Sequence, residues 1–262
     1  MARTCIFCAG PSSAQGSGEH LFPDWLNRLF PVGASDPLPS WGRHVASEDG
    51  VGGSSWTAAK VASMTTKRVC NPCNTGWMCD LEGEASPVLQ PMILGRQSAL
   101  SAPEQLLVAT WATKTAMVIE STLDNLDNFP ANQCATVMAE NRPPGSLRVG
   151  AAAVNSPPRP LSYFCSRVHI KANLLPDHDL HFYTLQVGTL VLTIRRPDPP
   201  PPHYGALKDG AVPGAIEIPV FPPVERFLWP PPVVLDFAGL VNLGRRGIVL
   251  PDGWDIPDRS DS

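Results

Sequence analysis

Two Cys-x-x-Cys pairs, Cys5-Ile-Phe-Cys8 and Cys70-Asn-Pro-Cys73, bracket a stretch that carries an acid directly before a histidine, Glu19-His20. Each pair forms a tight knuckle that can present two thiolates, and four thiolates suit a tetrahedral structural zinc. One ion held by both pairs would close residues 9–69 into a loop and tie its two ends together. Inside that loop the chemistry changes character. A near-neutral imidazole at His20 can accept a proton from water at pH 7, and an acid beside it can help hold a hard divalent cation, the raw material of a hydrolytic metal site. Asn74, directly after the last cysteine, opens a helix in this reading, where backbone N–H groups would face an anion. Each feature has a plainer alternative: buried thiols without an ion, a structural histidine, a helix cap at Asn74.

The elements that must position these groups follow from the pattern around them. Residues 20–23 are short, apolar and stopped by proline, which predicts a brief strand. Residues 24–30 have apolar positions at helical spacing, with Asp24 as the cap. Residues 31–55, rich in Gly, Ser, Pro and Asp, read as a long mobile loop. Residues 56–69 read as one strand leading into the second knuckle. A helix is then expected from Asn74 to about Ala85, with Trp77, Met78 and Leu81 on one face. Trp25, Trp77 and Leu81 are assigned to the module's core rather than to base stacking.

Residues 103–122 form the best helix pattern in the chain, with Pro103 in its first turn and Lys114 and Glu120 on a solvated stripe. A shorter helix is expected over 130–140. Beyond about residue 145, the stretches 147–154, 162–171 and 179–196 alternate β-branched and aromatic residues as strands do, with a turn at Val187-Gly188. Residues 199–202 form a stiff polyproline stretch, and short strands are expected at 215–220, 225–229 and 233–237. The fold class is therefore α+β: an N-terminal zinc-stabilised module (1–98), a helical connector (99–145) and a C-terminal antiparallel β-sheet region (146–262).

Composition bounds what such a chain can do. Its 262 residues suffice for a substantial core, and the 30 prolines predict many loops and edge strands. No apolar run is long enough for a transmembrane helix, and Cys5 and Cys8 fall where a signal peptide would have its apolar core. Seven cysteines, four of them in knuckles, fit a metal in a reducing compartment, so a cytoplasmic location is expected. With a net charge of −4, contact with nucleic acid must rest on local charge. Arg28, Arg43, Lys60, Lys67 and Arg68 could make such a face, or an ordinary solvated surface. Asp177-His178-Asp179-x-His181 has a metal-like composition but reads as a turn into a strand. Cys79 reads as a buried helix thiol.

Taken together, Cys5-x-x-Cys8, Glu19-His20-x-x-Pro23-x-Trp25-Leu26 and Cys70-x-x-Cys73-Asn74-x-Gly76-Trp77-Met78-x-x-Leu81-Glu82 resemble the HNH endonucleases, and more narrowly a bacterial HNH endonuclease-like subgroup. The resemblance covers roughly residues 1–85, with the helix of Trp111 and Lys114 as a further candidate. It implies a ββα-metal, treble-clef-like module that hydrolyses phosphodiester bonds in DNA. It further implies His20 as the general base, Glu19 and Asn74 as ligands of one catalytic divalent cation, and Cys5, Cys8, Cys70 and Cys73 as ligands of structural zinc. Thr65 falls where the family usually carries the asparagine that holds the base. No histidine follows in 74–85, so the cation site is oxygen-rich and suits Mg²⁺ or Mn²⁺. The implied partner is nucleic acid, with no membrane; the C-terminal region could serve substrate choice, self-association or a partner protein. The alternative is a non-catalytic, zinc-stabilised nucleic-acid- or protein-binding module whose nuclease site has decayed.

Overall fold

The computed structural model describes residues 4–12, 18–31, 40–47, 50–57, 65–122, 129–157, 160–170, 178–198 and 217–246. Helix α4 (Ala102–Glu120) runs through its middle. Its start follows from sequence: Glu104 accepts a hydrogen bond from the Ser101 backbone N–H at 2.8 Å, closing a capping box, with Pro103 in the first turn. Every residue from Val108 to Glu120 is buried. Thr110 and Thr113 satisfy their hydroxyls by donating to the carbonyls of Leu106 and Ala109, one turn back. Lys114 and Glu120, expected on a water-facing stripe, therefore lie inside. The reason is packing on more than one side. Helix α3 (Cys79–Ile93) contacts α4, and so do strands of the large sheet, so no stripe is left for solvent.

That sheet has eight strands. Its order is β10 (Ile218–Phe221), β6 (Arg148–Val154), β9 (Leu190–Asp198), β8 (His178–Val187), β7 (Leu161–Ile170), β2 (Ser40–Ser47) and β3 (Gly50–Thr57). The eighth strand, β12 (Val234–Leu235), pairs with β6. The expected antiparallel pairing holds from β10 through β7, and the turn between β8 and β9 falls at Gly188, whose φ of 56° a glycine adopts without strain. Two contacts are parallel, β2 with β7 and β12 with β6.

The long loop expected over 31–55 is corrected by β2 and β3, which pair antiparallel with Trp41 opposite Trp56. Glycine and serine hid these strands in the sequence; β2 pairs with β3 on one side and with β7 on the other, and those ladders rather than composition make the segment a hairpin in the sheet. The single strand expected over 56–69 is likewise divided: β3 ends at Thr57, β4 covers Thr65–Thr66, and residues 58–64 lie outside the described residues, as do 32–39 and 199–216.

Side chains alternate across the sheet. Ala151, Ala153, Tyr163 and Tyr183 join the main core, whereas Ala152, Val154, Phe164 and Val191 form a second one with Leu240 and Leu243. The latter two belong to α6 (Phe237–Arg246), a helix the sequence reading missed, where a strand was expected to reach 237. Gly239 and Gly244 weaken the helical signal. At Gly244 the glycine is required by close approach, since a Cβ there would overlap the Phe164 ring. Helix α5 (Ala131–Glu140) packs on α4, and α1 (Leu26–Leu29) and the β5–β11 ribbon (Ser98–Leu100, Phe227–Trp229) complete the architecture.

Candidate metal centre and the adjoining acid–histidine strand

The ligand atoms of Cys5, Cys8, Cys70 and Cys73 all lie within 4.8 Å of one another. Cys8 Sγ and Cys70 Sγ, one from each pair, are 3.5 Å apart. Zn–S bonds of about 2.3 Å at tetrahedral angles need sulfurs of roughly this spacing, so the four residues fit a zinc ion. The knuckle geometry is local. The Ala9 N–H donates to the Cys5 carbonyl at 3.0 Å, Ala9 takes a positive φ of 56°, and the Gly10 N–H points at Cys8 Sγ at 3.4 Å. The Ile6 N–H donates to the Arg68 carbonyl at 3.0 Å and so joins the first knuckle to the residues just before the second. Burial pushes the Cys5 thiol up, but hydrogen bonds from backbone groups including Cys8 and Cys70 outweigh it and bring the thiol down to about 7. Cys70 and Cys73 are pushed up by burial. A metal bound there would displace their protons.

The second knuckle leads straight into helix. Cys70 is extended and serves as N-cap, and α2 (Asn71–Cys73) carries Pro72 in its first turn. The helix thus begins earlier than expected, before Asn74. The Asn74 N–H donates to the Cys70 carbonyl at 3.0 Å, so it is spent inside the helix and does not face an anion. Asn74 itself is half-buried at the head of a π-helical stretch, Asn74–Met78, where Gly76 departs from helical geometry. Helix α3 follows directly and runs to Ile93, well past Ala85, despite Pro87 and Pro91. Trp25 and Leu81 are buried as expected, while the half-buried Trp77 meets Phe7 edge-on at 5.0 Å. Cys79 is exposed rather than buried.

Between the knuckles, β1 (Glu19–His20) pairs antiparallel with β4, Glu19 opposite Thr66 and His20 opposite Thr65. Close approach at the start of this ribbon demands glycine, because a Cβ on Gly18 would lie 2.9 Å from the Thr65 side chain. Thr65 is exposed, and His20 is half-buried. Glu19 turns the other way, as successive strand residues do, and is 5% exposed. Its carboxylate lies 3.9 Å from the ammonium of Lys114, which is 2.5 Å from Glu82 Oε1. Burial is the largest influence on Glu19 and lifts its carboxyl to about 7; Lys114 pulls it down and Glu82 pushes it up.

The structure therefore brings the four cysteines together, sets His20 across from Thr65, and joins Glu19 to Lys114 and Glu82. Among the described residues, the four cysteines form the one group of three or more His, Cys, Asp or Glu side chains close enough to share an ion, and Glu19 and His20 belong to no second such group. Sequence reasoning set Lys114 on a solvated stripe and named Glu82 only within the resemblance, so their meeting beside Glu19 was not expected. A lysine in the middle of an otherwise apolar and small-residue helix, Trp111-Ala-Thr-Lys114-Thr-Ala-Met, was the available signal.

Of the basic residues considered for phosphate contact, Arg28 and Lys67 are exposed, Lys60 lies outside the described residues, and only the backbone of Arg43 is described. Arg68 instead lines a largely apolar cavity of about 600 Å³ behind the first knuckle, with Ile6, Phe7, Met117, Cys134 and Met138. His181 is buried in β8, and Asp177 lies outside the described residues. No described helix is long and apolar enough to cross a membrane. Compared with protein-family models, with curated proteins and with solved structures, the chain matches none.

Proposed function

We propose that the chain is a metal-dependent endonuclease of the HNH type that hydrolyses phosphodiester bonds in DNA. The observation that carries this reading is the register of the short ribbon, which sets His20 directly opposite Thr65, between two knuckles whose sulfurs converge. Two antiparallel strands followed by a helix that starts at the last cysteine pair support a ββα-metal module. In this role the His20 imidazole takes the proton from the attacking water, and Thr65, opposite it in register, would hold the ring by hydrogen bonding across the strands. Glu19 and Asn74 would hold a Mg²⁺ or Mn²⁺ ion, which when bound would stabilise negative charge on the phosphate and the departing oxygen. The four cysteines act through structure, by fixing β1 and β4 relative to α2.

A His20→Ala variant should lose at least about 100-fold in plasmid nicking with Mg²⁺ or Mn²⁺, the usual contribution of a positioned general base. Nicking by wild-type and variant alike, or by neither with any divalent cation, would sink the enzymatic reading. The second outcome would leave the other reading, a zinc-stabilised binding module without catalysis. The observation that favours this second reading is the burial of Glu19 beside an ammonium group.

A further inference from the structure

The cavity behind the first knuckle, about 600 Å³, is of a size that holds a drug-sized organic molecule. Its walls come from three elements: the knuckle through Ile6 and Phe7, α4 through Met117, and α5 through Cys134 and Met138, one turn apart on one helix face. Met138 Sδ lies 3.9 Å from Cys73 Sγ, so α5 reaches the metal centre at that end. Glu19, His20, Thr65 and Asn74 are not among the lining residues, which sets the cavity apart from the groups assigned to catalysis.

Among the described residues that line it, Arg68 is the one basic side chain, and there is no carboxylate. The other polar side chains are spent or stand in water. The Ser121 hydroxyl donates to the Val118 carbonyl at 2.7 Å, the Cys134 thiol points to the Phe129 carbonyl at 4.0 Å, and Thr4 and Asn132 are exposed. Arg68 is held in place by its backbone, whose N–H donates to Thr66 Oγ1 at 3.1 Å and whose carbonyl accepts from Ile6. Its side chain is half-buried, and its Nε is buried with no hydrogen-bond partner among the described residues. A guanidinium held against apolar walls with no acceptor leaves donors unsatisfied, and an oxygen brought into the cavity would satisfy them.

We propose that this cavity binds a neutral, mainly apolar small molecule whose one carbonyl-type oxygen accepts a hydrogen bond from Arg68. The apolar body follows from the walls, where a second polar group on the ligand would lose water and gain no partner. Neutrality follows from the metal centre. Cys5 and Cys8 share the wall, and four thiolates around one zinc leave two negative charges there, which oppose a carboxylate. This site does not rest on the nuclease reading, and plasmid nicking bears on neither its presence nor its absence.

The probe is a dimethylaminonaphthalene carrying one propionyl ketone, a neutral fluorophore whose emission moves to the blue as it leaves water. Titrated into the full-length, zinc-loaded protein, it should bind saturably, one per chain. Ala135→Phe puts a ring into the cavity and should abolish binding. Arg68→Met keeps the bulk but removes the donors, and should weaken the ketone at least roughly tenfold, as loss of a hydrogen bond to a charged group does. The analogue with ethyl in place of propionyl should bind wild-type and Arg68→Met alike. The analogue with a carboxylate in that place should bind wild-type less tightly than the ketone.

Absence of saturable binding overturns the proposal, as does undiminished binding to Ala135→Phe or equal affinity of wild-type and Arg68→Met for the ketone. Tighter binding of the carboxylate than of the ketone overturns it as well. Zinc content and thermal melting show whether each variant folds. Should Ala135→Phe fail to fold, the smaller Ala135→Leu takes its place and should weaken the ketone; unchanged affinity overturns the proposal. Should Arg68→Met fail, the ketone and ethyl analogues are compared on wild-type, where equal affinity overturns it.

Discussion

At the residue scale, the acid–histidine pair is asymmetric. His20 stays half-exposed opposite Thr65, while Glu19 is drawn inward to Lys114 and Glu82. Burial lifts the Glu19 carboxyl from its ordinary value of 4.5 to about 7. A carboxyl raised on folding loses its proton more readily in the unfolded chain, so stability falls as pH rises from 4.5 to about 7 and the loss is constant above that. Glu19→Gln removes that cost. Without added divalent cation, the variant should gain chemical-denaturation midpoint relative to wild-type at pH 8 and show no gain at pH 5. An equal difference at both pH values would mean that Glu19 does not titrate in this range. The sequence announced Glu19 and His20 by adjacency alone. Lys114 stood out as a lysine in an apolar helix, but no local pattern named Glu19 as its partner, because the two are distant in the chain and meet only in the tertiary structure.

At the element scale, what could be read from sequence depended on whether an element's reason for existing was local. Helix α4 was legible because Ser101, Pro103 and Glu104 are capping residues in the right order. Strands β6 to β9 were legible because β-branched and aromatic residues recur along them. The β2–β3 hairpin and α6 were not. Gly50-Val-Gly-Gly-Ser-Ser-Trp carries turn-like composition, yet it is a strand through its pairing with β2, which itself lies beside β7. Helix α6 contains two glycines in ten residues, and at Gly244 the reason is close approach to Phe164 of β7. Gly244→Ala tests that account. In an exposed helix this change would stabilise by roughly 1 kcal/mol, but here the added methyl meets the Phe164 ring and should cost about 1–3 kcal/mol by overpacking. Urea unfolding would show a lowered midpoint; a raised one would mean that α6 does not press on the sheet.

At the scale of the molecule, one main core runs from Cys5 and Phe7 in the first knuckle through α4 to Phe227 and Trp229. The N-terminal hairpin β2–β3 also extends the sheet built mainly from the C-terminal half. Zinc at the four cysteines would therefore act beyond the residues it touches, by closing residues 9–69 into a loop. A cross-link across a loop of that size stabilises by about 4 kcal/mol in a chain-entropy account. Elemental analysis should find one zinc per chain. Strong chelation, or Cys70→Ser, should lower thermal stability and first raise amide exchange in 4–12 and 65–78. A folded protein without zinc, indifferent to chelator, would remove the metal from the architecture.

The sequence by itself determined the two cysteine pairs that could hold an ion, the adjacency of acid and histidine, the main helix and the antiparallel strands, because each of these is written in spacing or periodicity over a few residues. Only the tertiary structure decided which groups face one another across the chain. It set Thr65 opposite His20, turned Glu19 away towards a lysine nearly a hundred residues on, and made a glycine-rich segment into sheet. Spacing along a chain fixes what a residue can do; the neighbours that set its charge and direction come from distant segments, and no local pattern records them.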